Sequence, residues 1–342
     1  MKKEIRLAIV GATGLVGETA LHILNEKNLP ISALYLLASE KSAGAQYKFK
    51  EQLITVTSLL DFDFSLADYA IFSAGSDVAK EYAPIAANAG CVVVDNSSCF
   101  RYDSDIPLIV PEVNANVLDK SIPRGIIANP NCSTIQMLVA IKPIYERFGI
   151  KRIDVATYQS VSGQGKQGIN TLQKQTHVLM DEENSAKGHF EKQSAFNILP
   201  EIDCWESGDY TREEMKMVWE SKKILNDDSI IVNPTAARVP VFIGHAMAVH
   251  VETKKPLSKP AVLDCLQQAP GVKVFDKERE ISYATQAQAV GQNAVLVGRI
   301  REAMPGINGV NLWVVADNVR KGAALNAVQI VECLLSRYNT SS

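Results

Sequence analysis

The sequence predicts a doubly wound α/β domain on a parallel sheet, joined to an α+β domain on a mixed sheet. Three observations predict it. Short apolar runs alternate with helix-spaced apolar residues in the N-terminal part, and the first run ends on a glycine-rich turn. From about Lys151 the strand-like runs lengthen and alternate apolar with polar residues. Buried parallel strands read as continuous apolar runs, whereas half-buried antiparallel strands alternate.

Ile5 to Val10, interrupted only by Arg6, is the first strand, and Val16, Ala20, Leu21, Ile23 and Leu24 then recur at helical spacing. Leu34–Leu37, Tyr69–Phe72, Val92–Asp95 and Gly125–Ala128 are further strands of the first domain. Their alternation with helices gives the α/β class. Val155–Val161, Ala246–Glu252 and Ala294–Ile300 are strands of the second. Ala324, Leu325, Val328, Val331 and Leu335 lie at helical spacing in a final helix, expected to pack back on the first domain. Thr176–Lys192, poor in apolar residues, reads as a loop or an exposed helix.

A chain of 342 residues has room for two ordinary domains. Its net charge of -3 offers no basic footprint, which argues against nucleic acid as a partner. No run approaches the ~18 apolar residues of a membrane helix, and Met1-Lys2-Lys3-Glu4-Ile5-Arg6 leads into the first strand without a signal-peptide cleavage site. Cysteines 91, 99, 132, 204, 265 and 333 show neither a CxxC pair nor metal-ligand spacing. They read as reduced thiols of a cytoplasmic protein with no metal.

Gly11-Ala12-Thr13-Gly14-Leu15-Val16-Gly17 stands between the first strand and the first helix. Glycine lets the backbone approach a pyrophosphate, and the helix start offers N–H groups and a positive dipole end. The segment is therefore expected to bind a nicotinamide dinucleotide in the Rossmann manner. At the end of the second strand, Ser39, Lys41 and Ser42 offer groups for a 2′-phosphate and favour NADP. Glu40 reads equally as a ribose-binding acid or a solvated residue.

Asn129-Pro130-Asn131-Cys132-Ser133-Thr134 follows a strand and precedes the helical run Ile135, Leu138, Val139 and Ile144. A cysteine at a helix start has its thiolate stabilised, and N–H groups just beyond it suit an oxyanion. The motif resembles the nucleophile segment of the aspartate-semialdehyde dehydrogenase family, and the resemblance runs from Gly11 to Asn318. Acetylglutamyl-phosphate reductases usually carry Asn-Pro-Gly-Cys-Tyr instead. The position of Cys99 is one departure, since the family more often has another small or polar residue there.

The resemblance implies a glyceraldehyde-3-phosphate dehydrogenase-like architecture. Its domains would be a Rossmann-type NADP-binding domain, 1–130 with 318–342, and a catalytic and dimerisation domain, 131–317. Ala237-Arg238-Val239-Pro240-Val241-Phe242-Ile243-Gly244-His245 resembles the stretch that holds a substrate-binding arginine and the acid/base histidine, here Arg238 and His245. Period-two alternation puts His250 on the opposite strand face from His245. Gln159 would orient the acyl group, with Ser162, Gly163 and Asn318 at the nicotinamide. Glu213 and Lys216, three apart on one helix face, would take the substrate amine and phosphate, and Arg101 would be a second phosphate partner. On the same helix Met215, Val218, Trp219 and Leu225 read as the buried stripe.

The implied activity is NADPH-dependent reduction of aspartyl phosphate to aspartate semialdehyde and phosphate through a thioester on Cys132, with His245 as base. It serves lysine (through diaminopimelate), threonine, methionine and isoleucine biosynthesis. A homodimer, or a tetramer, is the implied assembly. Acetylglutamyl phosphate reduction, a cysteine hydrolase and a non-catalytic NADP-binding relative are the alternatives. Glu213 would have no purpose in the first, the glycine turn argues against the second, and the joint presence of Cys132 and His245 against the third.

Overall fold

The computed structural model describes residues 4–120, 122–181, 192–275 and 283–338. The chain divides into two compact units, 1–131 with 323–342, and 132–322. The first begins with strands β1 (Ile5–Val10), β2 (Ile31–Ala38), β3 (Gln46–Phe49), β4 (Gln52–Thr55), β5 (Thr57–Ser58), β6 (Tyr69–Phe72), β7 (Val92–Asp95) and β8 (Ile126–Ala128). Helices α1 (Leu15–Glu26), α2 (Ser76–Asn88) and α3 (Pro111–Asn114) lie between them. Six strands form one parallel sheet in the order β5-β2-β1-β6-β7-β8. In this order the winding reverses between β1 and β6, and a crevice opens at their carboxyl ends. Both faces of the sheet are covered, so β6 is buried at every position and β1 at all but Arg6. Arg6 is held by Asp68, with Nη2 2.9 Å from Oδ1.

The second unit carries α4 (Cys132–Phe148), β9 (Ile150–Gln159), α5 (Gly165–Met180), α6 (Arg212–Leu225), β10 (Ile231–Arg238) and β11 (His245–Thr253). There follow α7 (Lys259–Gln267), β12 (Val272–Phe275), α8 (Gln286–Ala289), β13 (Val295–Glu302) and β14 (Gly309–Ala316). The sheet runs β10-β9-β11-β14-β13-β12; β10 is parallel to β9 and β12 to β13, and the other pairs are antiparallel. On β9, Ile153, Val155, Thr157 and Gln159 are buried while Arg152, Asp154, Ala156 and Tyr158 are half-buried on the other face. β10 contains Pro234, which removes a ladder donor and is tolerated because this strand is the sheet edge. Of the stretch Thr176–Lys192, residues 176–180 close α5 and 182–191 lie outside the described residues.

The chain returns to the first unit as α9 (Leu325–Tyr338). Leu325, Val328, Val331 and Leu335 join Ile5, Leu7, Ile9, Leu21 and Ile23 in that unit's core. Buried Asn326 donates to the Asn129 side chain at 2.7 Å and to the Ile109 carbonyl at 2.9 Å.

The inward face of α6 differs from the expected one. Trp219 is 37% exposed, whereas Glu213, Glu214, Met217, Glu220 and Ser221 are buried. The acids turn inward because they have partners there. Glu214 accepts from the Thr211 N–H at 2.7 Å, closing a capping box, and from the Ala236 N–H of β10 at 2.9 Å. This pins the first turn of α6 to β10 and aims Glu213 toward β9. Thr211→Ala should lower stability by about 1 kcal/mol, measured as a reduced urea midpoint.

Candidate active site

The crevice of the first unit is built around Gly11. Its φ is +82°, and a Cβ there would lie 2.8 Å from the Ser73 carbonyl carbon. Only glycine permits β1 to turn so close to the end of β6. Gly14 is the N-cap of α1 and makes no side-chain cap, so the positive end of the helix is left for an anion. Gly17 lies one turn on, without room for a side chain against the Gly11 carbonyl. A cavity of about 580 Å³ is lined by Gly11, Thr13, Gly14, Ser39 and Glu40, with Leu59, Leu60, Val78 and Tyr82 as apolar walls. Leu15 and Val16 open α1, and Lys41 and Ser42 sit in a single 3₁₀ turn; none of these four lines the cavity. The apolar wall residues carry no motif, and only the folded crevice reveals them.

In the second unit, sheet register assembles a row. Gln159 on β9 is opposite Arg238 on β10 and His245 on β11. Directly opposed residues share a sheet face. All three are buried, at 1%, 7% and 0% exposure. Gln159 Nε2 donates to Glu213 Oε1 at 3.0 Å, and Lys216 Nζ donates to Glu213 Oε2 at 3.2 Å and to Asp203 Oδ2 at 2.7 Å. Arg238 Nη1 donates to the Ser160 carbonyl at 2.7 Å. A Cβ on Gly163 would lie 2.9 Å from that nitrogen, so the glycine makes room for the guanidinium.

His245 Nδ1 accepts the Ser160 main-chain N–H at 3.0 Å, with Ser160 Oγ 3.1 Å away. Nε2 is buried and has no hydrogen-bond partner among the described residues. Around Nδ1 the polar groups form a closed set. Ser160 Oγ and Ser162 Oγ are 2.9 Å apart, Asn318 Nδ2 donates to Ser162 Oγ at 2.9 Å, and Asn318 Oδ1 accepts from the Gly244 N–H at 2.8 Å. Burial pushes the imidazole pKa down to about 3; the Arg238 charge acts in the same direction and Glu213 against it.

Cys132 is the half-buried first residue of α4, where the helix start favours a thiolate. Arg238 is close enough for its charge to couple to Cys132. Burial lowers the guanidinium pKa, opposed by Glu213 and Cys132. A Cβ on Gly322 would fall 2.8 Å from the Cys132 Cβ. Gly322 is held in a π-helical turn, Arg320–Ala324, anchored by Asp317, whose Oδ1 accepts the Val319 and Arg320 N–H groups at 3.0 and 2.9 Å. One turn along α4, fully buried Gln136 points Nε2 toward the His245 carbonyl at 3.5 Å.

Arg101 belongs to the first unit, in the loop after β7. Asp95 accepts both the N–H and the hydroxyl of Ser97, and Arg101 Nη2 donates to the Asn96 carbonyl at 3.0 Å. Burial raises the Asp95 carboxyl pKa. It also raises that of the Cys99 thiol, with Asp95 adding to the effect, which disfavours a thiolate there.

Residues 6–121 match the family described as semialdehyde dehydrogenase, NAD binding domain, and residues 141–321 match semialdehyde dehydrogenase, dimerisation domain. The aspartate-semialdehyde dehydrogenase of Legionella pneumophila is 56% identical over 339 residues, 99% of this chain and 98% of that protein. The chain belongs to the aspartate-semialdehyde dehydrogenase family. Two solved structures of aspartate-semialdehyde dehydrogenases bear on the site. The Vibrio cholerae aspartate semialdehyde dehydrogenase II complexed with ASA superposes with a TM-score of 0.93 at 52% identity, covering 98% of this chain and 99% of that one. The Candida albicans protein, solved with NADP, superposes at 0.74 and 25% identity, covering 97% and 98%.

A histidine whose folded pKa lies near 3 against 6.5 for the free side chain takes up a proton first in the unfolded chain. Its contribution to stability is complete above about pH 6.5 and declines as the pH falls toward 3. The urea midpoint should drop between about pH 6.5 and about pH 4.5, and His245→Gln should flatten that drop. Gly322→Ala should displace Cys132 and slow its alkylation by iodoacetamide at least about tenfold, followed by mass spectrometry.

Proposed function

We propose that this chain is an NADP-dependent aspartate-semialdehyde dehydrogenase, converting L-aspartyl 4-phosphate to L-aspartate 4-semialdehyde and phosphate through a thioester on Cys132. The observation that carries the reading is the grouping within one unit of a family member. There a half-buried cysteine at a helix start accompanies a buried row of Arg238, Gln159 and His245. The reaction belongs to cytoplasmic biosynthesis of lysine, by way of diaminopimelate, and of threonine, methionine and isoleucine.

The crevice of the first unit fits a dinucleotide: its helix end is uncapped, its turn admits close approach, and its walls are apolar. When bound, the dinucleotide supplies the hydride. Gly11, Thr13, Gly14, Leu15, Val16 and Gly17 would hold the pyrophosphate, and Ser162, Gly163 and Asn318 would serve the nicotinamide end. Ser39, with Lys41 and Ser42 of the adjoining 3₁₀ turn, would take the 2′-phosphate against the opposing charge of Glu40. The relative solved with NADP supports that cofactor.

Cys132 attacks the acyl carbon as a thiolate, forming the C–S bond. His245 takes the Cys132 proton, Gln159 orients the acyl group, and the first N–H groups of α4 stand by its oxygen. The Arg238 guanidinium is steadied by Ser160 and keeps donors for the substrate carboxylate in a forked pair. Glu213 receives the ammonium, and Lys216 and Arg101 receive the phosphate, which leaves with the electron pair of the broken C–O bond. The thioester divides one difficult reduction into two easier steps. A second copy of the chain covers the half-exposed sheet face of Asp154, Tyr158, His250, Asn311 and Trp313, giving a homodimer or, by further assembly, a tetramer. That face lies within the segment matching a dimerisation domain.

With aspartate semialdehyde, phosphate and NADP, Cys132→Ala should lose turnover at least about a thousandfold while NADPH binding, followed by fluorescence, is kept. Faster turnover with N-acetylglutamate semialdehyde would overturn the substrate. Glu40→Gln should lower KM for NADPH several-fold more than KM for NADH, in steady-state assays.

A further inference from the structure

Lys216 is shared unequally between two carboxylates. Its Nζ lies 2.7 Å from Asp203 Oδ2 and 3.2 Å from Glu213 Oε2. The Lys216 and Glu213 side chains are 12% and 6% exposed, so this is no solvated surface pair. Glu213 comes from α6 itself, whereas Asp203 comes from the segment that leads into that helix. The segment is fixed at both ends. Leu199 exchanges main-chain hydrogen bonds of 3.0 and 2.8 Å with Arg238 at the end of β10, Ile202 is buried, and the Arg212 N–H donates to the Cys204 carbonyl at 2.7 Å. Asp203 has a φ of +72°, a conformation that few side chains adopt and that aspartate tolerates by bonding locally. Its Oδ1 accepts the Cys204 N–H at 2.9 Å. Burial alone would raise the Asp203 carboxyl pKa, but the Lys216 ammonium and the Cys204 N–H outweigh it and hold the carboxyl below its ordinary value. Both oxygens of an ionised Asp203 are thus engaged, one by its own turn and one by Lys216.

We propose that Asp203 is a positioning residue for substrate recognition: it draws the Lys216 ammonium toward itself and so leaves the Glu213 carboxylate charged toward the substrate amine. The inference rests on the reading of Glu213 as the partner of that amine. Two carboxylates against one lysine leave a single negative charge, which one substrate ammonium neutralises. Arg238, whose charge also couples to Glu213, is answered separately by the substrate carboxylate. Without Asp203, Lys216 and Glu213 stand three apart on one helix and would close into a one-to-one pair. An arriving ammonium would then have to displace a lysine from a buried acid. Phosphate feels the opposite change, because Lys216 loses an acidic neighbour and becomes the better partner for an anion. The two substrates therefore respond with opposite sign. Simple loosening of α6, which carries both Glu213 and Lys216, would weaken both.

Steady-state assays with aspartate semialdehyde, phosphate and NADP test the split. Asp203→Asn should raise KM for the semialdehyde about tenfold and leave KM for phosphate equal or lower, with kcat changed by less than about threefold. Asp203→Glu, which keeps the charge, should recover most of the semialdehyde KM. A semialdehyde KM that does not move in Asp203→Asn, or a matching rise in both KM values, would overturn the proposal. Lys216→Met serves as a second variant that does not depend on the folding of the first. It should raise KM for phosphate several-fold but not KM for the semialdehyde, since Glu213 then has no lysine to share. A tenfold rise in semialdehyde KM there would equally overturn the proposal. Adding Asp203→Asn to Lys216→Met should cost the semialdehyde nothing further, because Asp203 acts only through the lysine. Calorimetric titration of aspartate semialdehyde into Cys132→Ala, with and without Asp203→Asn, should show the same tenfold weakening without turnover. Failure of the dehydrogenase reading would show separately, as no reaction of the unaltered chain with aspartate semialdehyde.

Discussion

The register of β9 with its two neighbours is the constraint on which the site depends. β10 runs parallel to β9 and β11 antiparallel, yet Arg238 and His245 both meet Gln159. Side chains alternate with a period of two, so a slip of one residue in either pairing would send its residue to the opposite sheet face. The buried faces of these strands resist such a slip. A slip of β11 would drive Met247, Val249 and Val251 outward, and a slip of β10 would do the same to Val232 and Ala236.

Charge in this row is buried but not isolated. Glu213 receives Gln159 and Lys216, Lys216 is shared with Asp203, and Arg238 is tied to a main-chain carbonyl. An unpaired buried charge costs far more than a paired one, and removal of a single partner is strongly destabilising. The network therefore holds its geometry through paired charges. Burial and Arg238 hold the His245 imidazole pKa below its ordinary value.

Local features were legible in the sequence and long-range ones were not. β1, the glycine turn and the cysteine at the start of α4 announce themselves because strand, turn and helix start are short-range patterns. The parallel order of the first sheet follows from alternating strands and helices. β10 was obscured by Pro234, and the hairpin of β3 and β4 left no mark of its own in the pattern. Periodicity misplaces the inward face of α6 because it counts apolar residues, whereas Glu213 and Glu214 are buried by partners on other elements. The same limit applies to Ser160, Gln136 and the walls at Leu59 and Tyr82. Their significance comes from what lies across the fold, whereas His245 is marked by its flanking motif.

Gly322 and Cys132 share one small volume, since a methyl group on the first would occupy space used by the methylene of the second. The two positions are consequently not free to drift separately over evolution. A lineage that acquired a larger residue at 322 would have to surrender the cysteine or reshape the π-turn anchored by Asp317. Re-engineering of Cys132 meets the same ceiling: exchange of its sulfur for another atom leaves this packing untouched, while added bulk at either backbone position does not.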